Sequence, residues 1–226
     1  MADPFDSPLA TVPSLQVEAA RYALLRRLSV AIRHEMAAHL QPIGMVGELL
    51  SRRLRAATPD VAQVQDGVAR LTDLSRGAVQ ACLDVITWLA PDPQRRLRLD
   101  EAVHETVELL RSSFSFRGFL INDAVGDAPT PVLRASLRMV LPACLLLLSD
   151  DAGPPAEITL SASEGKGVRL HLSLEPVEGP EGSEAASPYR PLSREEVAAL
   201  AQAEGIGFMH EGDAIVLTLP TLPPQD

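Results

Sequence analysis

The chain has 226 residues and is 46% hydrophobic, enough to bury one large core or two small ones, which excludes disorder as the default state. Its formal charge of −10 is unevenly placed, because residues 1–91 balance nine Arg against nine acids and residues 92–226 set eleven Lys or Arg against twenty-one. Lys166 is the only lysine and no basic stripe is visible, so the chain lacks an electrostatic footprint for a phosphate backbone and nucleic acid is not an expected partner.

In chain order, Met1–Ala10 lacks the basic-then-apolar pattern of a signal peptide. No segment reaches the roughly 18 uninterrupted apolar residues that a membrane helix needs, so a soluble, cytoplasmic protein without a membrane span is expected. Residues 14–56 read as one long helix, with an apolar stripe at Leu25, Leu28, Ile32, Met36, Leu40, Ile43, Val46, Leu50 and Leu54 in steps of three and four. Thr58 and Pro59 then supply a helix start, with Thr58 as N-cap and Pro59 in the first turn. The second helix carries Val61, Val64, Val68, Leu71, Ser75, Ala78, Cys82, Val85 and Leu89 at strict 3-4 spacing, and Pro91 and Pro93 end it. Cys82 and the later Cys144 both lie in apolar helical sequence, as free buried thiols do, so no disulfide framework is expected. Two helices cannot enclose two apolar stripes, and so short a connection makes them antiparallel. Residues 14–90 are therefore expected to be a dimerisation hairpin that completes a four-helix bundle with a second copy, a homodimer across a two-fold axis.

The remainder, residues 95–222, alternates helical and strand patterns. It predicts a helix over 100–113 capped by Asp100, a short strand at 117–122, and a helix at 132–149 interrupted by Pro142. A hairpin follows at 156–163 and 167–174, joined through Glu164-Gly165-Lys166. Residues 175–191 are acidic and rich in Pro, Gly and Ser, hence a loop; a helix at 193–204 and strands at 206–210 and 213–219 close an α+β fold.

Taking about 100° per residue, His34 projects nearly opposite the apolar stripe of the first helix and faces solvent. Its projected neighbours, Val30, Ala31, Ala37, Ala38, Gln41 and Met45, are small or apolar, a face that admits another protein closely around the imidazole. Glu35 lies at the flank of the stripe, where its carboxylate is placed to hydrogen-bond one ring nitrogen and leave the other as nucleophile. His39 projects towards the stripe and is read as a packed or interfacial residue. His104, His171 and His210 fall on separate elements without ligand partners, so no metal site is expected, and no Ser-His-Asp set is recognisable.

The run His34-Glu35-Met36-Ala37-Ala38-His39-Leu40-Gln41-Pro42-Ile43, followed by Glu48-Leu49-Leu50, resembles the H-box of sensor histidine kinases. Within it, His39 stands where that family usually has proline, and Ala38 where a polar residue often serves dephosphorylation. The second half resembles the histidine kinase ATPase (Bergerat) domain in order of elements, an α/β sandwich, but departs from it at the site. Ala143 and Leu147 occupy the positions of metal- and phosphate-binding asparagines, and an apolar side chain cannot coordinate Mg²⁺. Asp150 and Asp151 read as solvated end-of-helix charges. Glu175-Pro176-Val177-Glu178-Gly179 replaces the glycine-containing adenine-binding segment, and no Gly-x-Gly-Leu-Gly loop precedes the helix at 193. The resemblance thus implies the fold without ATP use, as in dimeric histidine phosphotransferases of the ChpT type. It further implies His34 as phosphoryl carrier, response regulator receiver domains as partners, and no cofactor of the chain's own, since the receiver supplies Mg²⁺. The alternatives are a non-catalytic adaptor that binds a receiver or a kinase, and an active kinase with a divergent ATP site.

Overall fold

The first helix, α1 (Leu15–Leu54), begins where the Ser14 hydroxyl accepts from the Val17 N–H and ends with Arg52 and Arg53 in the last turn, matched to the negative end of the helix dipole. The structure is a computed structural model and describes residues 14–90, 92–165, 167–179, 182 and 189–222; the expectations for Met1–Ala10, Pro91, Lys166 and most of the 180–188 stretch lie outside them. After a short turn comes α2 (Val61–Leu89), capped by Asp60, whose carboxylate accepts from the N–H groups of Ala62 and Gln63. Thr58 was expected in that place. A carboxylate meeting two free N–H groups is the stronger cap, and Pro59 stays ahead of the helix.

The two helices run antiparallel, as Gly67 packs against Leu50 near the turn and Gly77 against His39 further along. The approach is close at Gly67, where a Cβ would lie 2.5 Å from Leu50 Cδ2. A helical hairpin is therefore present.

The second part is an α+β layer. It contains β1 (Arg96–Arg98), α3 (Leu99–Phe116), β2 (Phe119–Asp123), β3 (Pro131–Leu133), α4 (Arg134–Asp151), β4 (Ala156–Gly165), β5 (Gly167–Pro176), α5 (Arg194–Ala203), β6 (Gly207–Glu211) and β7 (Ala214–Leu219). The main sheet has the order β2-β4-β5-β7-β6, with β2 and β4 parallel and every other pair antiparallel. The alternation Ile158, Leu160 on β4, Leu170, Leu172, Leu174 on β5 and Ile215, Leu217, Leu219 on β7 sends one face into a core shared with α3, α4 and α5. The opposite face carries Ser161, His171 and Ser173 in register.

Four details differ from the sequence expectation. The pair β1 and β3 was not foreseen, since three residues each are too few to show alternation. Asp100 does not cap α3; it sits in the first turn and accepts from the N–H groups of Glu101 and Ala128, while Arg98 is the cap residue without a side-chain bond. Pro142 does not interrupt α4. It denies a hydrogen bond to the Arg138 carbonyl, yet every residue from Ser136 to Ser149 is buried, and that packing outweighs a penalty of about 3 kcal/mol. Finally, the N-terminal half of α1 is not a free helix leading into the hairpin. Val17, Ala20, Ala23, Leu24, Leu28 and Ala31 join the core of the α/β layer, as does Trp88 of α2.

Candidate functional site

His34 stands where α1 changes partners. Up to Ala31 the helix is buried against the α/β layer, whereas its next buried residues, Val46 and Leu50, face α2. Between them His34 is exposed and makes no hydrogen bond or ion pair among the described residues. Pro42, inside the same helix, has no N–H to offer the carbonyl of Ala38, which leaves that acceptor open one turn beyond His34.

The expected surroundings of His34 need two corrections. Glu35 does not touch its ring. Its Oε1 lies 3.1 Å from His39 Nε2, the i,i+4 partner on the same face, so the pair forms between Glu35 and His39 instead. His39 is half-buried at the seam between the two helices, its side chain keeping 41% exposure beside Gly77 of α2, which is the interfacial of the two expected placements. Ala31 is only 4% exposed and belongs to the core, because the α/β layer covers the side of α1 that a helical projection leaves in solvent. Val30 and Ala37 are half-buried, and Ala38, Gln41 and Met45 are exposed. The open face therefore runs from His34 towards the hairpin tip.

Three polar clusters hold the hairpin to the α/β layer. Arg27 of α1 donates two bonds to the Asp150 carboxylate of α4, at 2.7 and 2.8 Å, and Arg117 adds a third at 3.0 Å. Burial pushes the Arg117 guanidinium below its usual range, opposed by Asp150. Asp150, expected as a solvated charge, is thus an anchor. In the second cluster Arg138 of α4 donates to Thr87 Oγ1 at 2.6 Å and lies over the Trp88 ring, and both Arg138 and Arg134 bind Glu105. Burial lowers the Arg138 pKa as well, with Glu105 opposing it. In the third, Arg21 of α1 meets Glu204, which also accepts from Ser136. Sequence reasoning missed these residues. The available signal was Arg27 itself, an arginine at buried-face spacing between Leu24 and Ala31.

A cavity of about 580 Å³ opens beside His34 between α1 and α3, walled by Leu109, Phe116 and Leu146 and bordered by Arg33 and Ser113. A second of about 400 Å³ lies on the other flank of α1 and includes Glu35, His39, Asp84 and Glu105. Elsewhere, Ala143 and Leu147 are buried in the core. His104 stands 3.9 Å from Asp123, His171 hydrogen-bonds Ser163 at 2.8 Å, and His210 lies on β6. No group of three or more His, Cys, Asp or Glu able to hold a metal occurs among the described residues, and no helix among them is long and apolar enough to cross a membrane. Cys82 and Cys144 are free thiols, and burial raises the pKa of Cys144.

No protein-family model matches the sequence, and no curated protein matches it. Among solved structures, a bacterial phosphotransferase is similar over 95% of this chain and 100% of its own, at 16% identity and a TM-score of 0.39. The histidine kinase ThkA, in a complex with the response regulator protein TrrA, is similar over 94% of this chain and 68% of its own, at 16% identity and a TM-score of 0.42. The ATP binding domain of PrrB from Mycobacterium tuberculosis is similar over 58% of this chain and 100% of its own, at 18% identity and a TM-score of 0.42. All three TM-scores lie below 0.5.

Proposed function

We propose that this chain is a histidine phosphotransferase of a cytoplasmic two-component phosphorelay, in which His34 accepts a phosphoryl group from the aspartyl phosphate of one receiver domain and passes it to another. The observation that carries this reading is the placement of His34, exposed and without a hydrogen-bonding partner, within the one helical run that resembles an H-box. A neutral imidazole nitrogen attacks phosphorus, an N–P bond forms, the P–O bond to the receiver's aspartate breaks, and the carboxylate leaves with the electron pair. The reverse sequence discharges the group onto the next receiver, and each receiver brings its own Mg²⁺. Glu35 has to exchange His39 for His34 before it can orient the ring. Ala38, Gln41 and Met45 form the docking face, with Val30 and Ala37 at its edge, and the open Ala38 carbonyl gives a partner one acceptor to bind.

The buried, apolar Ala143 and Leu147 support a degenerate ATPase-like layer, since neither side chain can hold a metal or a phosphate. Exposed apolar residues on the hairpin support a homodimer. Val79, Leu83 and Ile86 follow one another at helical spacing on α2, and Leu40, Leu49 and Leu54 are exposed on α1. A second reading, the non-catalytic adaptor, draws on the Glu35–His39 pair, which leaves His34 without an orienting carboxylate.

Incubation with a labelled phosphorylated receiver separates the two. The phosphotransferase takes up label and His34→Gln does not, while dimerisation is unchanged. Ala38→Arg weakens receiver binding without unfolding the protein, because exposed substitutions shift stability by only about 0.5 kcal/mol. Uptake at the normal rate by His34→Gln rejects His34 as carrier. No uptake by the parent chain, with receiver binding intact, favours the adaptor.

A further inference from the structure

The cavity beside His34 has the size of a ligand site rather than of a packing gap. Its volume of about 580 Å³ falls within the roughly 300–1,000 Å³ range of small-molecule pockets. Its walls are apolar. Leu109, Leu146 and Phe116 contribute apolar surface to its lining, and Phe116 is 63% exposed among the described residues. The rim has the opposite character. Arg33 borders the cavity and makes no ion pair among the described residues, and the Ser113 hydroxyl lies on the same border.

Charge selects between candidate occupants. Three arginines, Arg27, Arg33 and Arg117, line this cavity in a chain whose formal charge is −10. Among the described residues the carboxylate on its lining, Glu35, pairs with His39, and Asp150, outside the lining, holds Arg27 and Arg117. Among the described residues the local balance is therefore positive, within an acidic protein. In a site with apolar walls, partial desolvation strengthens attraction to an anion.

We infer that this cavity is a binding site for a small amphipathic anion, an acyl chain or aromatic body carrying one carboxylate or phosphate, with the body against Leu109, Phe116 and Leu146 and the head group on Arg33. Arg27 and Arg117 shape the floor but remain tied to Asp150. A ligand so placed lies against His34, since both border the same cavity, and would keep a receiver from the imidazole. That regulatory consequence rests on the phosphotransfer proposed above, whereas the binding site itself does not.

Decanoate, decylammonium and decanol serve as probes in calorimetric titrations of the full chain, with no receiver present. Decanoate binds at one site per chain, and the cation binds at least tenfold more weakly. Ser113→Trp, which fills the cavity, lowers decanoate affinity at least tenfold. Arg33→Glu, an exposed change that leaves thermal unfolding unaltered, does the same and removes the preference for the anion. Decanoate binding that neither variant alters, equal affinity for decylammonium, or no binding at all overturns the inference. So does loss of receiver binding in Ser113→Trp when the parent chain binds no decanoate, because the cavity is then a socket for a partner's side chain. If decanoate binds as stated but His34 never takes up phosphate, the phosphotransfer reading fails and the ligand site stands. Unchanged uptake at saturating decanoate removes only the regulatory consequence.

Discussion

Replacement of Asp150 by alanine tests whether the α/β layer is anchored to the hairpin or merely lies beside it. Asp150 accepts two bonds from Arg27 and one from Arg117, and the Arg27 side chain retains only 4% exposure. Removing one partner of a buried pair leaves an uncompensated charge and costs about 3–5 kcal/mol. Arg117 falls back on Ser149, to whose hydroxyl and carbonyl it already donates at 3.1 and 3.2 Å, so Arg27 bears most of the loss. The expected destabilisation is therefore about 3 kcal/mol, a large share of the 5–15 kcal/mol typical of a domain. Arg27→Met should cost less, since Asp150 keeps Arg117 and the methionine fills the apolar space. Asp73→Ala is the control: its pair with Arg76 is about three-quarters exposed and contributes at most ~0.5 kcal/mol. Urea unfolding at pH 7 and one fixed protein concentration reads all three. A loss under about 1 kcal/mol for Asp150→Ala, or a loss equal to that of Asp73→Ala, would refute the anchoring argument.

Three further outcomes are expected. The hydrogen bond from Arg98 holds the Asp100 carboxyl down to about 2 from its ordinary 3.8, so its contribution to stability is present above pH 3.8 and is lost as pH falls through about 2. Acid titration of the unfolding midpoint should show that loss in the parent chain and less of it in Asp100→Asn. Leu83→Glu combined with Ile86→Glu puts charges on the exposed stripe of α2 and should convert the proposed homodimer to monomers by sedimentation; a dimer mass that persists would place the contact elsewhere, and a monomer mass for the parent chain would refute the dimer. If the α/β layer is the degenerate ATPase-like domain proposed above, calorimetric titration with Mg·ATP should be flat to millimolar concentration, because the buried, apolar Ala143 and Leu147 cannot coordinate a metal, and saturable heat would mean a nucleotide site built from other residues.

Helices and strands were legible wherever period and length agreed. The helices α1, α2, α4 and α5 were placed within two residues, as were the strands of the β4–β5 and β6–β7 hairpins, while α3 runs three residues beyond its expected end. Pro142 misled because its local penalty is visible in sequence whereas the burial of its whole helix is not. The site was legible only in part. Projection of one helix placed His34, Ala38, Gln41 and Met45 in solvent, where they are found, but it cannot know that a distant layer covers Ala31. Nor can it choose between two partners for Glu35: the adjacent His34 and the i+4 His39 are both within sequence reach, and helical geometry brings only the second onto the carboxylate. Asp150 was read as solvated because its partner Arg27 is 123 residues away.

The division of α1 into two halves gives these corrections a common cause. A helix of forty residues is about 60 Å long, more than a hairpin partner of twenty-nine can cover. Its first half therefore finds another apolar surface, and Arg21 and Arg27 fix it there through Glu204 and Asp150. The second half belongs to the hairpin, whose outer stripe is still uncovered. His34 falls at the junction, just beyond Ala31, where α1 has left the core of the α/β layer while α2 still runs alongside it. That position leaves the imidazole exposed at the border of the cavity between α1 and α3. The anchors also define what the α/β layer contributes. With Ala143 and Leu147 turned into its core, Arg138 bonded to Thr87 of the hairpin, and Arg117 and Glu105 paired with the anchors Asp150 and Arg138, its groups nearest His34 shape and charge the surroundings of the imidazole. Weakening the anchor should consequently disturb the ligand cavity before it disturbs the hairpin seam.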